Sequence, residues 1–198
     1  MRRIKRAFQL FNTVFIYKLI FKKIGTKSIV LSPLKIDCGK NISIGNYSLI
    51  GYKTWLAANP VTGFNDCKLE IHDGCFIGNF NHIYATRSII IEKNVLTADK
   101  VYISDNLHDY RNPNLPIIKQ PVIQNNIVII GEGSWIGENA CIMGVTIGKN
   151  CVIGANSVVT KNIPSYCIVV GAPAKIIKKY NFESATWEKT DAKGDFLS

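Results

Sequence analysis

Aliphatic residues recur at every sixth position through much of this chain. Between residues 129 and 164 they fall at Ile130, Ile136 and Ile142, then at Ile147, Ile153 and Val159. Gly131, Gly137, Gly148 and Gly154 directly follow four of them. A helix would place apolar residues three and four apart, and a half-buried strand would alternate them. A period of six fits neither. It marks a parallel β-helix, in which each hexad supplies one short strand and one turn. The aliphatic residue of each hexad points into a narrow core, and the small residue after it eases a corner where bulk or φ restrictions interfere.

From Ile36 the pattern starts unevenly. Ile44-Gly45 and Ile50-Gly51 are clean, Leu56 keeps the phase, and the period resumes at Ile71, Ile77 and Ile83. It then shifts to Ile91, Thr97 and Ile103. Two excursions interrupt it. Residues 57–68 carry Asn59-Pro60 and Thr62-Gly63, turn chemistry that takes the chain out of the coil. Residues 104–126 contain Pro113, Pro116 and Pro121, which cannot donate to a strand ladder. A loop that long inside a compact repeat is usually functional. The step from Ile142 to Ile147 is five, so one coil must tighten near Met143-Gly144. Gly171 and Pro173 punctuate the exit from the repeats, and AKIIKKY begins a short helix or strand. The chain thus divides into a basic, apolar helical segment at 1–28, a β-helix domain at 29–180 and a polar tail at 181–198, expected to be mobile.

With 198 residues, 47% of them hydrophobic, one domain with a substantial core is the expectation. The net charge of +10 matters mainly through its placement. No acidic residue precedes Asp37, whereas Arg2, Arg3, Lys5, Arg6, Lys18, Lys22, Lys23, Lys27 and Lys35 all fall before it or beside it. A second group, Lys175, Lys178 and Lys179, follows the repeats. Such clusters suit a membrane surface, nucleic acid or a phosphorylated cofactor. No RRM, KH or OB signature accompanies them, so nucleic acid is not an expected partner. Residues 1–23 begin like a signal peptide, but polar residues interrupt the apolar part and no small-residue cleavage site follows. Ala7 to Phe21 is short for a membrane span. The segment reads either as a helix packed on the flank of its own oligomer or as an interfacial helix. A cytoplasmic protein, peripheral at the inner membrane face in the second case, is the matching location. The six cysteines form no CxxC pair and none has a histidine at zinc-ligand spacing, so reduced, packed thiols are expected.

Three histidines can be weighed individually. His108 lies in the proline-rich loop among Asp105, Asn106, Asp109 and Tyr110. Imidazole titrates near neutrality, so a loop histidine beside carboxylates suits a general base. From composition alone a solvated loop histidine fits equally well. His82 suits a surface or packing role better than a groove, and His72 reads as a turn residue. The sequence gaps among the three argue against a shared zinc site, and no metal is expected.

The stretch SWIGENACIMGVTIGKNCVIGANSVVTKNIP, followed by VVGAPAKIIKK, resembles the hexapeptide-repeat acyltransferases, which fold as left-handed parallel β-helices. The resemblance runs from about Ile71 to Ile177. SDNLHDY is similar to the active-site stretch of the galactoside, maltose and polysaccharide O-acetyltransferases. Where the polysaccharide branch often reads Asp-His-x-His, this chain has Asp105-Asn106-Leu107-His108 and keeps the second histidine. The resemblance implies a general-base role for His108. Proximity in sequence, independently, points to Asp105 or Asp109 as the group orienting its imidazole.

It further implies acetyl-CoA as acyl donor. Glu138 and Ala155 match backbone contacts to the pantetheine, Thr160 and Lys161 match positions near the nucleotide, and Lys175 and Lys178 match basic positions that meet its phosphates. Relatives often carry Arg at those last two, and Lys keeps the charge without the bidentate fork. Asn79, with Asn81 as its rival, and Asp105 fall on the acceptor side. An acidic acceptor contact of the sugar enzymes would fall near Thr86 or Arg87 and is absent. The implied enzyme is a homotrimer with active sites between subunits, acetylating a sugar hydroxyl in surface polysaccharide or glycoconjugate biosynthesis. N-acylation of an amino sugar, or a non-catalytic β-helix scaffold, are the alternatives.

Overall fold

The hexads fold as a three-faced prism. The computed structural model describes residues 9, 11 and 13–197. The first face consists of Lys23–Ile24, Ile42–Ile44, Lys68–Ile71, Ser88–Ile91, Val128–Ile130 and Thr146–Ile147, all parallel. The second and third faces repeat that order one and two hexads later, so each coil lays one strand on each face. The register stacks the aliphatic positions in columns. Ile44, Ile71, Ile91, Ile130 and Ile147 form the first. Ile50, Ile77, Thr97, Ile136 and Ile153 form the second. Leu56, Ile83, Ile103, Ile142 and Val159 form the third. All are buried. Thr97, the one polar member, accepts a hydrogen bond from the Gly78 N–H at 3.0 Å, which satisfies its hydroxyl oxygen inside the core.

Six-residue steps hold at two of the three corners in every coil. At the third, the step is eight from Ile36 to Ile44, fifteen from Leu56 to Ile71, eight from Ile83 to Ile91 and twenty-seven from Ile103 to Ile130. It is five from Ile142 to Ile147 and four from Val159 to Ile163, which bridges to Ile147. The regular corners share one conformation. Lys27, Tyr47, Gly74, Asn94, Gly133, Asn150 and Tyr166 turn the first with positive φ, and Lys53, Phe80, Lys100, Asn139 and Asn156 turn the second. Coils approach closely there: a Cβ on Gly78 would collide with the Ala98 carbonyl of the next coil. The tight step after Ile142 is absorbed locally. Gly144 takes φ +59 and donates to Ser104 O at 2.9 Å, and the columns on both sides keep register.

Cys75 and Cys151 occupy the corner column that elsewhere holds Ser28, Ser48 and Ser134. Each serine hydroxyl donates to a carbonyl of the next coil, and the two thiols do the same toward Glu92 O (3.0 Å) and Pro164 O (3.1 Å). Burial pushes Cys75 and Cys151 up to about 11 and Cys67 up to about 12, so all three are protonated, unreactive thiols.

The first coil begins at Lys23, inside the stretch expected to be helical. Ile24-Gly25, Val30 and Ile36 already carry the six-residue step, and they pair with Ile44, Ile50 and Leu56. Within that stretch, helix is described only before Lys23, with Thr13–Tyr17 as a π turn and Lys18–Ile20 as an α turn. Buried Phe21 closes that end of the core, and Thr13 Oγ1 accepts from the Val30 N–H at 3.1 Å. At the other end Cys167–Val170 extends the second face. Lys175–Asn181 and Thr186–Lys189 then add two antiparallel strands. Part of the tail expected to be mobile is therefore paired sheet, with Asn181 and Thr186–Lys189 in strands and a bridge from Thr190 to Phe196. Its polarity concealed a cross-strand aromatic cluster in which Tyr180 meets Trp187 at 5.5 Å and Phe182 at 5.0 Å.

Candidate active site

Both excursions leave from the irregular corner, so they lie along one edge of the prism. The longer one is partly a ladder, contrary to the expectation from its prolines. Asn106–His108 pairs antiparallel with Val122–Gln124, in the register Asn106↔Gln124, Leu107↔Ile123 and His108↔Val122. Pro113 and Pro116 sit in the reach between the strands and Pro121 just before the second, where no ladder donor is required. His108 ends the paired segment with its side chain exposed, and among the described residues no hydrogen bond engages the imidazole.

Asp105 roots this hairpin. Its side chain is fully buried. One carboxylate oxygen accepts from Thr86 N (2.7 Å), Thr86 Oγ1 (3.0 Å) and Asn106 Nδ2 (3.1 Å). The other accepts from Arg87 N and Ser88 N, both at 2.8 Å. Contacts to an acceptor or to the imidazole were the expectations for Asp105, and the geometry corrects both. The carboxylate caps the turn from the third face back to the first, and both of its oxygens are taken up there. Asp109 does not orient His108 either. It is clamped by Arg111, with Nε at 2.8 Å and Nη2 at 2.6 Å, which holds its carboxyl well below the usual range.

Gln124, unremarkable in the sequence, joins the two excursions. Its Oε1 accepts from Thr62 Oγ1 (3.2 Å) and shares the single Thr86 Oγ1 proton (3.0 Å) with the Asp105 carboxylate, and its Nε2 donates to Asp105 O (2.8 Å). Arg87, where an acidic acceptor contact is missing, lays its guanidinium over the Phe64 ring at 4.2 Å. The wall beside His108 is thus a stitched unit of two loops and a corner. Only the position of Asp105 directly after a hexad hints at it in the sequence.

The other expected site residues lie elsewhere on the prism. Asn79, Glu138 and Ala155 follow one another along the second regular corner. Lys100 N reaches Asn79 O (2.8 Å), Asn139 N reaches Asp99 O (3.2 Å) and Asn156 N reaches Glu138 O (2.8 Å). Asn79 Nδ2 donates to the Asp99 carboxylate and its Oδ1 accepts from Tyr52 N at 2.9 Å. Asn81 is buried in the same corner, bonded to Ala98 O and Val101 N, so it fastens coils and is not turned toward a substrate. The Glu138 carboxylate is exposed and paired with Lys100 at 2.9 Å. Thr160 and Lys161 return to the irregular corner after Val158–Val159. Lys175 and Lys178 belong to the first of the two added antiparallel strands. Within one chain, His108 and Glu138 therefore stand on different edges.

His82 packs on the outside of the third face. It stacks on Trp55 at 4.1 Å with nearly parallel rings and meets Tyr102 edge-on. Its Nε2 is buried without a partner, and burial lowers its pKa. His72 follows the strand Lys68–Ile71 at the first regular corner. Among the described residues, no three of His, Cys, Asp and Glu are grouped to hold a metal. The outside of the second face is apolar across the coils, with Leu49, Phe76, Leu96, Trp135 and Val152 in one column and Phe76, Leu96 and Trp135 exposed, before the column reaches Lys178 and Lys189 on the added strands.

Comparison with known proteins agrees with this architecture. Residues 127–161 match the model of the hexapeptide repeat of succinyl-transferase. An Escherichia coli (strain K12) protein, WbbJ, provisionally named a lipopolysaccharide biosynthesis O-acetyl transferase, is 38% identical over 162 residues, 78% of this chain and 76% of that one. The structure of AntD, an N-acyltransferase from Bacillus cereus, aligns over 87% of this chain and 91% of that chain with a TM-score of 0.72 at 22% identity. A hexapeptide-repeat acetyltransferase of Vibrio cholerae, VCA0836, solved with acetyl coenzyme A, aligns over 83% of this chain and 74% of that one, with a TM-score of 0.54 and 25% identity. The chain belongs to the hexapeptide-repeat acyltransferases and is an acetyltransferase built on a left-handed parallel β-helix.

Proposed function

We propose that the chain transfers an acetyl group from acetyl-CoA to a sugar hydroxyl, with His108 as general base. The observation that carries the reading is the presentation of His108: an exposed imidazole on a short ladder, anchored by the Asp105 and Gln124 network to a rigid wall. His108 takes the proton from the acceptor hydroxyl as that oxygen attacks the thioester carbonyl. The tetrahedral intermediate then collapses, the C–S bond breaks, and the imidazolium returns the proton to the departing CoA thiolate. General-base catalysis contributes ~10²–10⁴-fold, and positioning of the two substrates must supply much of the remainder.

The site is completed by a second copy. His108, Thr160 and Lys161 lie on one edge and Glu138 and Ala155 on another, and on this reading a neighbouring protomer brings its edge alongside. The apolar outer column of the second face is a surface on which copies can meet, and the homotrimer usual in the family provides the arrangement. Acetyl-CoA then runs along Glu138 and Ala155, with Lys175 and Lys178 toward its phosphates. The acetyl-CoA complex of VCA0836 supports the donor, and the name of WbbJ supports a saccharide acceptor: a nucleotide sugar, a lipid-linked saccharide or a polysaccharide precursor. His108→Ala should abolish acetyl transfer and leave calorimetric acetyl-CoA binding nearly intact. Unchanged turnover would end this mechanism, and absent binding would favour a scaffold.

A further inference from the structure

The helical residues before the first coil have two different faces. Thr13, Tyr17 and Phe21, four apart, turn inward: Thr13 accepts from Val30 N, Tyr17 packs against the core and Phe21 is buried within it. Phe11, Phe15 and Leu19, also four apart, turn outward. Phe15 is 59% and Leu19 74% exposed, Ile16 and Ile20 are exposed beside them, and the rings of Phe11 and Phe15 meet at 4.5 Å. Among the described residues no side chain buries Phe15 or Leu19, although Lys40 donates to the Leu19 carbonyl. Exposed Lys18 and Lys22 adjoin the outward row, and neither makes an ion pair among the described residues. Lys23, on the first strand, instead lines a groove with Glu70 and Asp73. The first acidic residue, Asp37, is already bound by Lys35 at 3.0 Å and by the Trp55 indole at 2.9 Å.

We propose that this outward face is a docking surface for an anionic lipid membrane, on which the chain lies without spanning it. No described helix is long and apolar enough to cross a bilayer. An apolar row fringed by unpaired cations matches the headgroup boundary of an anionic leaflet, which takes the aromatic and aliphatic side chains into its acyl edge and neutralises the lysines. A second copy would bury the row but would bring another basic surface, from a chain of net charge +10, against the same lysines. The proposal is independent of the acceptor's identity.

The test is co-sedimentation of the full chain with vesicles of phosphatidylcholine alone and of phosphatidylcholine mixed with phosphatidylglycerol. Binding is expected to the mixed vesicles only, weakening as salt is raised. Changing Lys18 and Lys22 together to Gln should lower partitioning roughly thirtyfold. Phe15→Ser with Leu19→Ser should lower it by about tenfold or more. Both sets sit at exposed positions, and circular dichroism melts check that they fold. Failure of the wild type to bind mixed vesicles would overturn the proposal, as would equal binding by either variant. So would a change in assembly mass by light scattering in the Ser pair without lipid, which would give the face to a second copy.

Discussion

Replacing Asp105 with alanine isolates the anchor beneath His108. The carboxylate receives three backbone N–H groups, from Thr86 at 2.7 Å and from Arg87 and Ser88 at 2.8 Å, in a fully buried setting. Alanine leaves all three without a partner. A buried donor left unmade costs about 1–3 kcal/mol, and partial relaxation of the turn brings the sum to about 3–6 kcal/mol. For a chain of this size 1 kcal/mol moves Tm by about 2–4 °C, so the melt should fall by roughly 6 °C or more. Asp105→Asn should lose less, since its amide keeps one acceptor oxygen but turns a donor toward other donors. Kinetics on the surviving folded fraction supply the second readout. On the proposed assignment a loosened hairpin misplaces His108 and lowers kcat, while the KM for acetyl-CoA, whose proposed contacts at Glu138, Ala155, Lys175 and Lys178 lie off the excursion, stays near the wild-type value. A melt superimposable on wild type would refute the energetic account, and a raised KM with unchanged kcat would refute the assignment of Asp105 to the base's support.

Three further outcomes follow from the packing. Ile103→Ala, in the centre of the third column, should cost about 2–5 kcal/mol by urea denaturation because neighbouring coils cannot collapse into the gap. Gly144→Ala should cost about 1–2 kcal/mol, since φ +59 disfavours a Cβ and Asn125 would have to move aside; an unchanged urea midpoint would show that the corner has slack. His82 has a folded pKa lowered by burial, so the unfolded chain binds its proton more readily. Stability should therefore decline as pH falls through about 6.5 toward the folded value, and His82→Phe, which also removes the unpartnered Nε2, should flatten that slope in melts across the range.

The columns were legible because burial on a prism imposes one spacing on every coil, and Ile130, Ile136 and Ile142 state it directly. Ile24, Val30 and Ile36 state it too, but the apolar and basic residues before them favour a helical reading. The antiparallel end was hidden because Tyr180, Phe182 and Trp187 act across strands, a relation that no local period expresses. His108 could be singled out by its loop and its resemblance. Its support could not, because Gln124 reaches Thr62 and Thr86 across 62 and 38 residues of sequence. The roles expected of Asp105 and Asn81 came from motif position, and burial assigns those side chains to corners.

The confinement of irregular steps to one corner makes the prism tolerant of insertion along a single seam. A residue added at either regular corner would push every later side chain of that coil from inside to outside. At the irregular corner the chain already spans between four and twenty-seven residues while each column resumes in phase. New recognition segments can therefore be exchanged at that seam, where His108 stands, without redesigning the core. On the proposed reading, with the acceptor hydroxyl brought to His108, acceptor preference can change by swapping these loops while the stack that carries them persists.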